Sequence, residues 1–183
     1  MRVISGNLRG TKLYTLEGLD TRPTLDRVKE SLFNIINFDI KNSTFLDMFA
    51  GSGAIGIEAA SRGAKKVVMC EKSKEAVNII NKNLEKTRLQ NEITLYNMDF
   101  QKCITTKLDD KFDIIYLDPP YKTDYIYTAL ELIIEKDLIK EDTLIILETD
   151  IEQIVENQLK KLNLTEFNKK NYGRVSLLFY KTS

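Results

Sequence analysis

From Thr44 onward the chain alternates short apolar runs with longer segments of helical period, and this rhythm constrains the fold more than any other feature. Runs at 44–48, 66–70, 93–97, 112–117 and 143–147 read as strands bounded by turn residues. Segments 53–62, 73–88, 125–135 and 151–162 read as helices, the first stopped by Gly63. In the second, Ala76, Val77, Ile80 and Leu84 share one side. Strands separated by helices pair in parallel through right-handed crossovers. Two further runs, 166–172 and 175–180, flank Gly173 and predict a terminal hairpin. The expectation is a Rossmann-like, doubly wound, mostly parallel seven-stranded α/β sheet with an antiparallel C-terminal hairpin.

Upstream, residues 2–4 and 12–14 flank the turn-rich Gly6-Asn7-Leu8-Arg9-Gly10, which predicts a short N-terminal β-hairpin extension. Thr24 reads as the N-cap of a helix reaching about Asn37, with Leu25, Val28, Leu32, Ile35 and Ile36 on one face. At 183 residues the chain is expected to form one domain: a hairpin extension over 1–20, a connecting helix within 21–43 and the core over 44–183.

Composition removes whole classes of chemistry. The sequence has no histidine, which excludes a Ser-His-Asp triad, a histidine-ligated zinc and an imidazole shuttle. Cys70 and Cys103 stand apart with no CxxC spacing, so they read as reduced core thiols, and no metal site is expected. No apolar run approaches the length of a membrane span, and residues 1–6 lack a signal-peptide core, which predicts a cytoplasmic protein off the membrane. Lys and Arg total 27, as do Asp and Glu. The distribution is uneven: both termini are basic and the stretch 131–156 is acidic. Basic residues at the two ends can form one patch for nucleic acid.

In open parallel sheets the ligand sits beyond the carboxyl ends of the strands, so the residues after each strand carry the search. After the first comes Asp47-Met48-Phe49-Ala50-Gly51-Ser52-Gly53-Ala54-Ile55-Gly56, a G-x-G-x-x-G loop between strand and helix. Gly51 allows a tight turn, Gly53 a close ligand and Gly56 close helix packing, as in nucleotide-type cofactor sites. Glu71, after the second strand, has the spacing at which an acid accepts from ribose hydroxyls. After the third, Asp99 can accept from an adenine amino group while Phe100 packs on the ring.

Asp118-Pro119-Pro120-Tyr121, after the fourth strand, is the most specific feature. Each residue before a proline is kept extended, and neither proline has an N–H to donate. The result is a stiff elbow offering the Asp118 carboxylate, the Pro119 carbonyl and the Tyr121 ring. Two acceptors beside an aromatic face suit a planar group that bears an NH2. The glycine loop and Glu71 alone would also permit a nicotinamide-dependent dehydrogenase, but that reading gives the elbow no role.

Together these elements resemble class I S-adenosylmethionine-dependent methyltransferases. Asp47-x-Phe49-x-Gly51-x-Gly53 is similar to their first motif, which implies that Asp47, Phe49, Ala50, Gly51, Gly53, Glu71, Asp99 and Phe100 hold S-adenosyl-L-methionine. The elbow is similar to the fourth motif of enzymes that methylate amino or amide nitrogens. The match extends to the N-terminus. Arg2-Val3-Ile4-Ser5-Gly6, Arg9-Gly10, Arg22-Pro23-Thr24, the run from Asp26 to Ile35, and the terminal Tyr172-Gly173 hairpin resemble the ribosomal small-subunit methyltransferase D family. That resemblance implies a bacterial 16S rRNA guanine-N2 methyltransferase. A monomer is expected, since nothing in the sequence suggests an obligate oligomer, and the zero net charge points to rRNA partly or fully assembled into the small subunit as the substrate. The resemblance also implies Asp118, Pro119 and Tyr121 as the catalytic group. Arg2, Arg9, Lys12, Arg22, Pro120 and Tyr121 would bind the RNA. The same elbow also serves methylation of DNA adenine or a glutamine amide. A non-catalytic module that binds cofactor and RNA is a further alternative, one that leaves Asp118 and Tyr121 without work.

Overall fold

The sheet of the computed structural model runs β3-β2-β1-β4-β5-β7-β6, and residues 1–16, 23–120 and 124–182 are described. Its strands are β1 (Thr44–Asp47), β2 (Lys66–Glu71), β3 (Ile93–Asn97), β4 (Phe112–Leu117), β5 (Ile139–Thr149), β6 (Leu164–Tyr172) and β7 (Val175–Thr182). The first five are parallel; β7 runs antiparallel between β5 and β6. The strand order reverses between β1 and β4, so the crevice beyond their carboxyl ends is the switch point where such sheets bind ligands.

The helices are α1 (Pro23–Ile35), α2 (Ala54–Ser61), α3 (Lys74–Thr87), α4 (Phe100–Lys107), α5 (Tyr125–Glu135) and α6 (Glu152–Leu159). Two apolar layers follow from the strict inward and outward alternation of the strands. One face packs Phe45, Ile114, Tyr116 and Ile146 under α1, α2 and α3, with Val3 and Leu13 of the N-terminal segment joining the same layer. The other packs Leu46, Ile115, Leu117 and Leu147 under α4, α5 and α6. Cys70 and Cys103 are buried and free in the second layer.

Several boundaries differ from expectation. The N-terminal hairpin shrinks to a single antiparallel bridge between Arg2 and Lys12. Its backbone is diverted: Ile4 and Ser5 donate their N–H groups to the Glu58 carboxylate at 2.9 and 3.0 Å instead of extending a ladder. Helix α1 begins at Pro23, so Thr24 lies inside the first turn and is not the residue before it. Proline suits that opening position because its missing N–H would find no partner there. The same helix ends at Ile35, short of Asn37. Helix α4 was not anticipated; Asp99 starts it by accepting from the Gln101 N–H at 3.0 Å. Strand β5 extends beyond 143–147 at both ends, and β6 and β7 are longer than predicted. At the terminal hairpin Tyr172 pairs with Val175 across Gly173 and Arg174, and Gly173 takes the positive φ of 63° that a two-residue turn needs.

The N-terminal segment is pinned by buried polar groups. Glu58 of α2, with no exposed surface, also receives the Arg62 Nε at 2.9 Å and the Lys29 ammonium of α1 at 3.2 Å. Burial holds the Lys29 pKa below its usual value, against the opposing pull of Glu58. Asn83 of α3 donates to the carbonyls of Ser52 and Tyr14, at 2.9 and 3.0 Å, and accepts from the Tyr14 N–H at 2.7 Å.

Candidate active site at the β1–β4 switch point

The glycine loop leaves β1 at its carboxyl end. Gly53 stands at the N-cap of α2 with φ 78°, a left-handed conformation that favours glycine. Gly51 also has positive φ, and a Cβ there would meet nothing within 4 Å, so the loop is open on that side. A Cβ on Gly56 would come within 2.6 Å of the Met69 sulfur, which explains the third glycine as close packing of α2 on β2. The loop is fixed from below: the Ala50 N–H donates to the Cys70 carbonyl at 3.0 Å, and the Gly53 N–H to the Ala50 carbonyl at 2.7 Å.

Glu71 joins that loop to the next one. One of its oxygens accepts from the Gly51 N–H and the other from the Ser73 N–H, each at 2.8 Å. Each carboxylate oxygen has a second lone pair, so Glu71 retains acceptor capacity toward the crevice. Asn97, after β3, donates to the Glu71 and Lys72 carbonyls at 2.9 and 3.2 Å. Asp99 caps α4 and faces Lys72 across 3.6 Å. Phe100 is 5% exposed and belongs to a three-ring cluster, with centroids 5.2 Å from Phe49 and 5.0 Å from Tyr125. Phe49 and Tyr125 stack at 6.3 Å. The structure thus gives Phe100 to the core, and Phe49, only partly buried, is the more accessible of those two rings.

Asp47 is the anomaly of the site. It is 1% exposed, and neither carboxylate oxygen has a hydrogen-bond partner among the described residues. Burial, and then the charge of Glu71, push its carboxyl up to about 7. The nearby backbone N–H groups of Gly56 and Phe49 offset part of that rise. A buried polar group with no partner is expensive unless something arrives to satisfy it.

Asp118 follows β4 at the carboxyl edge of the sheet and is exposed as a residue; Pro119 is half-buried and Pro120 exposed. The protein packed around Asp118, then the charges of Glu148 and Asp47, raise its carboxyl well above the usual carboxylate range. Leu117 and Leu147 are in register, so Asp118 and Glu148 are the next residues on adjacent parallel strands. The Tyr116 hydroxyl donates to Glu148 at 2.5 Å. Burial raises the Glu148 carboxyl, and the Tyr116 hydrogen bond works against that. Sequence reading missed Glu148, although it immediately follows the run 143–147.

The predicted residues therefore separate into groups. Asp47, Phe49, Ala50, Gly51, Gly53, Glu71, Asp99 and Asp118 converge on one edge of the sheet. Tyr121 and Arg22 lie outside the described residues. Arg2, Arg9 and Lys12 are exposed. The turn bearing Arg9 does not reach the crevice: the Asn7 N–H bonds the carbonyl of Ser61, at the far end of α2 and thus at the amino edge of the sheet.

The family model described as "Conserved hypothetical protein 95" matches residues 1–181. The chain is 38% identical to the ribosomal RNA small subunit methyltransferase D of Haemophilus influenzae, over 98% of this chain and 93% of that one. It is 37% identical to YlbH of Bacillus subtilis, over 99% and 98%. The solved structure of yhhF from Escherichia coli superposes with a TM-score of 0.85 at 29% identity, covering all of this chain and 97% of that one. The family model, the two relatives and the superposition each span nearly the whole chain, and so it belongs to the family described as Conserved hypothetical protein 95, alongside the ribosomal RNA small subunit methyltransferases D.

Proposed function

We propose that this protein methylates the exocyclic N2 amine of a guanine in 16S rRNA, using S-adenosyl-L-methionine, as a monomer acting on a partly or fully assembled small subunit in the cytoplasm. The observation that carries this reading is the pairing of two strand ends. The glycine loop after β1 and the Asp118-Pro119-Pro120 elbow after β4 lie side by side at the switch point.

The residues present fit the cofactor. The orphaned Asp47 carboxylate would take its cationic amino group, Glu71 its ribose hydroxyls and Asp99 its adenine amine. The open side of Gly51 leaves room for it. Phe49 would line the site, with Phe100 behind it. When bound, S-adenosylmethionine supplies a methyl group already activated by its sulfonium.

The chain's own residues must then activate a poor nucleophile. The lone pair of a guanine amine is delocalised into the ring. The Asp118 carboxylate and the Pro119 carbonyl accept its two N–H bonds, which favours a pyramidal nitrogen and frees the lone pair. As positive charge develops on nitrogen, both hydrogen bonds strengthen. Asp118 then takes the proton that the amine releases. Its proton affinity, raised by the protein packed around it and then by the charges of Glu148 and Asp47, suits it to that step. Tyr121 would stack on the base, worth about 1–3 kcal/mol by comparison with single-strand binders. Holding the amine in place supplies up to about 7–11 kcal/mol of the barrier reduction in favourable cases. The base must be unpaired or flipped out to reach the elbow.

The test is incubation with methyl-labelled S-adenosylmethionine and undermodified small subunits, with naked 16S rRNA and DNA in parallel, followed by nucleoside mass analysis. N2-methylguanosine from RNA is expected, and its loss in Asp118→Ala with retained cofactor binding. Label in adenine, in DNA or in protein would overturn the guanine assignment. Equal loss of turnover and cofactor affinity in Asp118→Ala would overturn the role of Asp118.

A further inference from the structure

The run from Asp26 to Ile35 stands out in the sequence, yet the methyl-transfer chemistry gives it no role. In the structure one side of α1 lines a cleft of about 470 Å³. Its walls are Arg27, Glu30, Ser31, Asn34 and Ile35 from α1, and Tyr172 from the tip of the C-terminal hairpin. The Tyr172 hydroxyl is hydrogen-bonded to Ser31 Oγ, which fixes the ring against the helix. Arg27, Glu30 and Asn34 are exposed.

The cleft shares an edge and a face with Asp118. Thr149 pairs with Ser176, which carries the hairpin turn to the carboxyl end of β5, beside the end of β4. Glu148, Leu177 and Lys170 are in register across β5, β7 and β6, so their side chains share a face, and Tyr172 lies two residues from Lys170 on that same face. The Tyr172 bond to α1 identifies it as the α1 face. The cleft is therefore a neighbour of the Asp118–Glu148 pair, across β7.

The chemistry of the walls fits a nucleobase. A tyrosine ring and a guanidinium both offer planes for stacking, and an asparagine amide reads donor and acceptor edges. Glu30 in the wall disfavours a phosphate within the cleft but can accept from a base amine. Lys170 and Arg174, each two residues from Tyr172, are exposed and offer positive charge to a nucleic-acid backbone. The volume falls within the range of about 300–1,000 Å³ typical of pockets for small ligands.

Resting on the reading of the chain as an rRNA methyltransferase, we propose that this cleft seats an unpaired RNA base adjacent to the target nucleotide, stacked on Tyr172 and Arg27. It holds the strand in register while the target base enters at Asp118.

The test compares Arg27→Ala, Tyr172→Ala and Tyr172→Phe with the wild type. Binding to naked 16S rRNA, methyl-transfer KM and kcat, and S-adenosylhomocysteine binding by calorimetry are measured for each. Arg27→Ala and Tyr172→Ala are expected to raise the RNA KM and Kd by about tenfold, the loss of one stacking contact. The values of kcat and of the cofactor Kd should stay within about twofold by the same reasoning, since neither residue touches that chemistry. Tyr172→Phe keeps the ring and should stay near wild type. Arg27 is exposed, so its variant reports on the cleft even if Tyr172→Ala unfolds. RNA affinity unchanged in Arg27→Ala, or a wild type that does not bind rRNA, overturns the proposal. Cleft-dependent RNA binding without methyl transfer would sink the methylation reading and leave the cleft standing.

Discussion

The Glu71 carboxylate accepts a hydrogen bond from the Gly51 N–H at 2.8 Å, joining the end of β2 to the loop after β1. Its second oxygen holds the Ser73 N–H at the start of α3. The residue read as a ribose acceptor is thus also the brace of the glycine loop. Glu71→Ala should weaken S-adenosylhomocysteine binding by about 10- to 100-fold, since hydrogen bonds to a charged group are worth about 1.5–3 kcal/mol. Glu71→Gln, which can still accept one N–H, should lose less. Calorimetric titration measures both.

As the proposed partner of the cofactor's amino group, Asp47 should make cofactor affinity depend on pH. Its carboxyl is raised to about 7, so the folded protein without ligand holds this proton more tightly than the unfolded chain. The resulting destabilisation is absent below the ordinary aspartate range, grows as pH rises toward 7 and then levels off. A cationic amino group paired with Asp47 reverses that trend for binding. S-adenosylhomocysteine affinity should rise about tenfold between roughly pH 6 and 8 as Asp47 ionises. Adenosine, which lacks the amino acid portion, should show no such rise, and Asp47→Asn should flatten the dependence.

The buried Lys29–Glu58 pair at 3.2 Å predicts a large stability effect. Glu58→Gln leaves the Lys29 charge buried and unpaired, a loss of about 3–5 kcal/mol in comparable cases. Thermal unfolding should fall by roughly 10 °C for a chain of this size. Adding Lys29→Met should recover part of the loss, because the stranded charge is then gone.

Two glycines of the N-terminal turn separate steric from conformational effects. Gly6 and Gly10 both have positive φ, near 82° and 86°. A Cβ on Gly6 would lie 1.8 Å from the Ser61 carbonyl oxygen, whereas one on Gly10 meets nothing within 4 Å. Gly10→Ala should cost about 1–2 kcal/mol from backbone strain alone. Gly6→Ala should cost clearly more, because the backbone of α2 cannot step aside. Chemical denaturation of the two variants gives the comparison.

In the proposed reaction Glu148 is expected to set the acid limb. Its charge is one of the causes that raise the Asp118 carboxyl. In that reading Asp118 must be ionised to accept the amine N–H, so activity should fall as pH drops through its titration. Glu148→Gln removes a neighbouring negative charge and should move that limb to lower pH. A pH profile of kcat on a methylatable RNA reads the shift.

Local periodicity made the parallel sheet legible, because each strand is a short apolar run with a turn at both ends. Helix α4 escaped because Gln101, Lys102, Thr105, Thr106 and Lys107 are exposed, leaving Phe100, Cys103 and Ile104 as its only apolar signal. Glu58 escaped for a different reason. A lone glutamate in an Ala- and Ile-rich helix looks like solvent-facing charge, and all its partners except Arg62 come from residues 4, 5 and 29, far away in sequence. The glycine loop, Glu71 and Asp118 were legible because they obey a positional rule about strand ends. Glu148 obeys it too, but the sequence run before it carried no second motif to draw attention. Long-range pairing cannot be read from spacing alone, which is why the displacement of Arg9 to the amino edge emerges only from its tether to Ser61.

One amide group on α3 holds two otherwise unrelated segments. Asn83 grips the Ser52 carbonyl in the glycine loop and both backbone polar groups of Tyr14. Neither segment can lift from α3 without breaking bonds to the same side chain. Amide protons near Tyr14 and in the glycine loop should therefore exchange with solvent as one unit, so that the N-terminal segment at Tyr14 and the floor of the crevice share one local stability.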